Sequence, residues 1–359
     1  MFYSLADVCE QNRYMSATQP NLAGGIVTHS SLVAIGGGGG AAQVLLAAAS
    51  SFARRTAIVA VTDTGRSTGV ARAVSKIPAP GDLRATVSAL AADHNALWPR
   101  LLEQRFRAPE HPSLDGMAFG NLLIAALAQL SGDFAGAVST VADLAGCAAT
   151  VLPVSTADVQ LCAELADGST VRGEVSVRAL GQPPIRRLFL DPPAPAYPSA
   201  IEAILDADLV TIGPGSFFTS ILATLQFGGV VEALRSTGAR VIYICNSTTQ
   251  PGQTEHMGVY AHVARLDELL GPGHLDAALI NRSPHLPNER VERLAADGLQ
   301  VLAADDDEIA AIAALGVRPL VADYSEAPGP RRQLWNKQDT LRYDPAKVGA
   351  ALAAYVKTP

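Results

Sequence analysis

Three short stretches carry the residue types that wrap a ligand, two of them suited to an anion. Five consecutive glycines, Gly36, Gly37, Gly38, Gly39 and Gly40, follow the apolar run Leu32 to Ile35 and precede Ala41 to Ala49, a run of helix formers. An apolar, partly β-branched run that stops at glycines and resumes in helix formers reads as strand, loop, helix. Free N–H groups and the positive dipole end at such a helix start favour an anion, and missing Cβ atoms let a phosphate approach the backbone. A second loop, Gly213-Pro214-Gly215-Ser216, follows the strand-like run Asp208 to Ile212 and leads into FFTSILATL, with Thr219 and Ser220 in its first turn. It offers backbone donors and hydroxyls to the same class of ligand. The third is DTGRSTG: the strand Ala57 to Val61 ends at Thr62 and Asp63, and Ser67 and Thr68 add hydroxyls.

Gly36, Gly38 and Ala41 fit the G-x-G-x-x-G/A spacing of dinucleotide-binding folds, but five glycines in a row meet that pattern almost automatically. Context adds more: Asp63 stands about where such a fold places the acid that takes a ribose hydroxyl. Asp82, before the helix pattern Leu83 to Ala92, suits either an N-cap or a ligand contact. Asn121, entering the apolar helix LLIAALAQL, carries the same two readings. A further strand, Arg240 to Cys245, ends at NSTTQPGQT, where Asn246, Thr249 and Gln250 are candidates. Loops at the carboxyl ends of an open α/β sheet gather at one crevice, so these polar, small-residue loops argue for one ligand site.

The elements that position these loops follow an alternating β and α pattern. Residues 1–30 show no sustained period and read as an irregular arm, with the folded domain from 31 to 359. From Val151 to Val177 the pattern changes to alternation around the turn Asp167-Gly168, which predicts a small antiparallel β insertion at about 151–180. Asp305 to Glu308 forms the acidic first turn of a helix.

A hydrophobic fraction of 48% with 17% charged residues describes a globular chain rich in buried parallel strands. The net charge of −7 argues against a nucleic-acid partner. The four cysteines are widely spaced and suggest neither a zinc site nor a disulfide framework. The charged first residues do not suit a signal peptide, and no uncharged stretch suits a membrane span, so a cytoplasmic protein is expected. A homodimer is the base expectation. His94, His111, His256 and His262 are scattered and offer no evident hydride-transfer partner.

Taken in order, IGGGGG, VTDTGRSTG, PAPGDLR, FGNLLIAAL, VLPVST, IGPGSFFTSI and CNSTTQPGQT resemble the signatures of the gluconeogenesis factor family, the bacterial branch of the CofD-like superfamily. The resemblance implies a single three-layer α/β/α Rossmann-like fold with a mostly parallel sheet and a small antiparallel insertion. It implies a cytoplasmic regulator that binds a UDP-sugar such as UDP-N-acetylglucosamine and links carbon metabolism to cell-wall synthesis and cell shape. The superfamily's other branch transfers a phospholactyl group to a deazaflavin alcohol using magnesium, and there the acid matching Asp63 holds metal or activates the acceptor hydroxyl. Asp63 is therefore the one candidate catalytic residue, and magnesium is expected only for a transferase. Thr64, where both branches carry a second acid, and Gly213 to Ser216, of the non-enzymatic type, point away from transfer. Arg66 replaces a glycine, Met257 an aromatic and Tyr343 a histidine. Three readings follow: a nucleotide-sugar-binding regulator, a phospholactyl transferase, and an NAD(P)-binding sensor with Asp63 on a ribose or Arg66 on a 2′-phosphate.

Overall fold

The computed structural model describes residues 28–283, 286–327 and 341–356. Its strands are β1 (Thr28–Gly36), β2 (Phe52–Val59), β3 (Thr150–Pro153), β4 (Gln160–Leu165), β5 (Thr170–Arg172), β6 (Ile185–Asp191), β7 (Leu209–Ile212), β8 (Arg240–Ile244), β9 (Ala277–Asn281) and β10 (Arg318–Ala322). Seven form one sheet in the order β10-β9-β8-β7-β1-β2-β3, and every pairing in it is parallel. Parallel strands are joined by crossovers, here helices, that cover both faces, so the central strands lack the in-out alternation of a half-solvated sheet. Accordingly Leu32, Val33, Ala34 and Ile35 of β1 and all of β7 and β9 are buried. Among the described residues no helix is long and apolar enough to cross a membrane.

The chain leaves β1 for β2 and β3 on one side, then returns to pair β7 against β1 on the other. Strand order therefore reverses between β1 and β7, and the loops that leave these two strands border the crevice this reversal creates.

Three local expectations change in the fold. The helix after the glycines spans Gly38–Ala47, so Gly38, Gly39 and Gly40 form its first turn and Gly37 its N-cap. Packing against neighbouring loops overrides the poor helix propensity of glycine there. β1 begins at Thr28, three residues inside the region assigned to the arm, while residues 1–27 lie outside the described residues. The expected hairpin is present as β4 and β5, with Glu164 opposite Thr170, but Thr150–Pro153 belongs to the main sheet, parallel to β2. As an edge strand exposed along one side, β3 alternates like a hairpin strand. The insertion proper runs from β4 to β6, a third antiparallel strand reaching Asp191.

Asp305 accepts from the Glu308 amide at 2.8 Å and caps Asp306–Ala314, so the acidic stretch forms the helix start the sequence suggested. Asp82 does not cap: its helix spans Gly81–Ala89 with Pro80 at the cap, and Asp82 lies inside the first turn.

Candidate functional site

Both glycine loops meet outside the carboxyl ends of β1 and β7. A Cβ on Gly40 would stand 1.7 Å from the Pro214 carbonyl oxygen, and one on Gly38 would stand 2.4 Å from the carbonyl oxygen of Asp82. No side chain fits at either position, so these glycines let three backbone segments touch. At Gly37 an added Cβ would meet Ser220 Oγ at 2.7 Å and Asp82 Oδ2 at 3.1 Å, which brings Gly37, Asp82 and Ser220 together. Gly39 differs, with nothing within 4 Å of its Cβ position and an exposed surface. The amide of Gly213 donates to the Ile35 carbonyl at 2.8 Å and ties the second loop to the end of β1. Gly36 therefore closes β1, while Gly37 to Gly40 build the helix start against Gly213, Pro214 and Gly215. After Ser216, Phe217–Leu222 forms a π-helical turn that holds Thr219, buried, and Ser220.

The acidic loop lies beside them. Asp63 accepts from the Gly65 amide at 2.8 Å, and Gly81 packs so closely that its Cβ position is 3.4 Å from Asp63 Oδ2 and 2.2 Å from Thr68 Oγ1. Asn121 is buried inside the helix Phe119–Ser131 rather than at its cap. Its amide nitrogen donates to Ser67 Oγ at 3.0 Å and reaches Thr68 Oγ1 at 3.5 Å, while Ser67 Oγ also accepts from the Ala118 amide. Ser67, Thr68 and Asn121 thus form one buried polar knot, and Asn121 Oδ1 and Thr62 Oγ1 have no hydrogen-bond partner. Sequence reasoning missed Arg72, which pins this loop. Its guanidinium donates to the carbonyls of Thr62 and Asp63 at 3.4 and 3.2 Å, to the Val159 carbonyl at 2.6 Å, and to Asp158 at 2.6 Å.

The loop after β8 braces the second glycine loop. Asn246 donates to the Gly215 carbonyl at 2.7 Å and accepts from the Tyr243 hydroxyl at 3.0 Å. Gln250 accepts from the Phe217 amide at 2.8 Å and donates to Ser216 Oγ at 3.4 Å. Thr249 turns elsewhere, exchanging hydrogen bonds with Gln300. Tyr343 donates its hydroxyl to the Cys245 carbonyl, so this residue braces the end of β8. Met257 is half-buried against the core, and the side chain of Arg66 lies outside the described residues.

Glu174, also missed from sequence, comes from the insertion. It opens the short helix Glu174–Val177, is 6% exposed, and bonds Arg178 Nε through Oε1 at 3.2 Å. Oε2 is buried with no partner. Burial, and then the nearby charges of Asp63 and Asp82, push its carboxyl up to about 7, against the lowering effects of Arg178 and the Thr64 amide. Hairpin alternation gave no signal for it, because Glu174 follows the strands and meets the acidic loop only through the docking of the insertion.

A cleft of about 740 Å³ opens at the opposite ends of β1, β2 and β3, lined in part by Arg55, Asp133 and Asp206. No glycine loop borders it, and Arg55 spends its guanidinium on the carbonyls of Leu45 and Ala148.

The family model described as 2-phospho-L-lactate transferase CofD matches residues 32–324. The gluconeogenesis factor of Bacillus subtilis (strain 168) is 36% identical over 303 residues, covering 84% of this chain and 90% of the relative. The chain belongs to the gluconeogenesis factor family. The factor of Halalkalibacterium halodurans is 33% identical over 298 residues, 83% of this chain and 87% of that one. A crystal structure of a Bacillus halodurans protein described as a UPF0052 family member superposes with a TM-score of 0.80 at 31% identity, covering 90% of this chain and 98% of that chain.

Within this family member, backbone donors and the helix dipole lie at the start of the helix Gly38–Ala47, where Asp82 Oδ2 stands beside Gly37, and Asp63 and Glu174 lie near Asp82. The helix start suits phosphates, while the carboxylates repel them. Among the described residues no three His, Cys, Asp or Glu side chains are grouped to hold a metal ion. Asp63 and Asp82 would bind magnesium only with a ligand's phosphate oxygens completing the coordination shell.

Proposed function

We propose that this chain is a cytoplasmic regulatory protein that binds a nucleotide sugar of the UDP-N-acetylglucosamine type and links carbon metabolism to cell-wall synthesis and cell shape. The observation that carries the reading is the contact of the two glycine loops across the strand reversal, at Gly40 and Pro214. It supports an anion cradle, because two glycine loops meet at one helix N-terminus, where backbone donors and the dipole favour negative charge. Family membership supports the same reading, and Thr64 in place of a second acid argues against turnover.

Phospholactyl transfer is the second reading, favoured by the description of the matching family model and by the carboxyls of Asp63 and Asp82 beside the cradle. Calorimetric titration with UDP-N-acetylglucosamine, GDP and NADPH, each with and without magnesium, separates the readings. Metal-independent binding of the UDP-sugar alone is expected. Magnesium-dependent binding of GDP would replace the regulator with the transferase, and binding of NADPH alone would support a dinucleotide sensor.

A further inference from the structure

Asn246 carries a residue type that suits a ligand contact, but both ends of its amide are engaged within the protein. The Gly215 carbonyl can only accept, so the group 2.7 Å from it is Nδ2, and Oδ1 is left to accept from the Tyr243 hydroxyl at 3.0 Å. Tyr243 is fully buried and fixes which way the amide faces. Asn246 itself is 9% exposed. Its effect therefore falls on the peptide group that it holds.

That peptide joins Gly215 to Ser216. The cis bonds are Asp191-Pro192 and Gly213-Pro214, so this bond is trans, and its carbonyl and N–H point in opposite directions. In the sheet, β7 lies between β8 and β1. With the carbonyl drawn to the β8 side, the Ser216 N–H faces the β1 side, where the Gly37 amide nitrogen is 3.6 Å from the Cβ position of Gly215. Neighbouring amides are taken: Gly213 donates to Ile35 and Phe217 to Gln250, each at 2.8 Å. The Ser216 amide donates to no group among the described residues, and Ser216 is half-buried rather than sealed. Because Gly215 has no Cβ to resist rotation, the direction of this peptide is set by what its carbonyl bonds.

We infer that Asn246 is a positioning residue: it holds the Gly215-Ser216 peptide with its N–H, not its carbonyl, towards the anion cradle, so that Ser216 adds a backbone donor to those of the first glycine loop. The inference rests on the nucleotide-sugar reading above and adds the side chain that gives the second glycine loop its polarity.

Calorimetry on the full chain with UDP-N-acetylglucosamine, at pH 8 and pH 5, tests this with wild type, Asn246→Asp and Tyr243→Phe. Asn246→Asp keeps the shape but sets an oxygen against the Gly215 carbonyl. The peptide then turns over, its N–H satisfies the new carboxylate, and its carbonyl faces the phosphates. Affinity at pH 8 should fall at least about tenfold, the lower end for a hydrogen bond to a charged group. At pH 5 a fraction of the introduced carboxyl is protonated and donates to Gly215 again, while the diphosphate keeps its charge, so the gap to wild type should narrow. Tyr243→Phe frees the amide to rotate and should lose a smaller factor, with no recovery at pH 5. A wild type that does not bind removes the nucleotide-sugar reading and this inference with it. If wild type binds, full affinity in Asn246→Asp at pH 8, or a loss unchanged at pH 5, overturns the inference alone. Should Asn246→Asp fail to fold, Tyr243→Phe decides: reduced affinity supports the inference and full affinity overturns it.

Discussion

Replacing Glu174 by glutamine should change how stability depends on pH, in a direction set by the burial of the carboxyl. The group titrates near 4.5 ordinarily and at about 7 in the folded chain. Between those values the folded state holds a proton that the unfolded state has released, so the contribution is fully present below about 4.5 and is lost as pH rises through 7. Each tenfold difference in proton affinity between the folded and unfolded chains is worth about 1.4 kcal/mol, so the whole window carries about 3 kcal/mol, an upper figure for a group with one ion-pair partner. Glutamine keeps the size and cannot ionise. The stability of Glu174→Gln relative to wild type should therefore rise by up to about 3 kcal/mol between pH 4.5 and pH 8. Urea unfolding of both proteins at half-unit pH steps measures it, read as the difference so that titrations elsewhere cancel. A pH-independent difference, or one that favours wild type as pH rises, would refute the argument that this carboxyl is buried against like charges.

Gly39→Glu should separate stability from binding. The added side chain meets open space, so better helix propensity and a negative charge at the helix start should add about 1 kcal/mol, while diphosphate ligands lose at least about tenfold in calorimetry. Unchanged affinity would count against an anion at this helix. Arg72→Lys should cost about 2 kcal/mol in urea unfolding and weaken ligand binding, because one ammonium cannot replace a fork that serves Thr62, Asp63, Asp158 and Val159; a neutral result would mean the acidic loop is held by other contacts. Burial lowers the pKa of His262, so the unfolded chain takes up the proton first and wild type loses stability as pH falls through the ordinary histidine range. His262→Phe, placed against the Phe217 ring 4.6 Å away, should lose less between pH 7 and pH 5 than wild type does, as followed by thermal unfolding. An equal or larger acid loss in the variant would show that His262 is not the group responsible.

The parallel α/β architecture was legible in the sequence, because buried strands ending in glycine or small polar residues are a local pattern. Gly36 to Gly40 and Gly213 to Ser216 announce themselves by composition, and an anion is the ligand class that free backbone donors favour. The Asp167-Gly168 turn likewise specifies its hairpin through residue type alone.

Other features depended on which segments meet. β3 alternates because it is an edge strand, and only its pairing with β2 separates it from the insertion. Asp82 and Asn121 sit where a capping residue is plausible, yet the helices begin one and two residues earlier, which turns Asp82 towards Gly37 and Asn121 into the knot with Ser67. Thr249 carries the same residue type as its neighbours and bonds to Gln300 because of the path the chain takes much later. The sequence by itself determined the strands and the loops, since those follow from the periodicity and backbone freedom of residues adjacent in the chain. The tertiary structure alone decided that Glu174 and Arg72 meet the acidic loop, because burial and charge proximity arise between segments whose separation in sequence carries no trace of their contact.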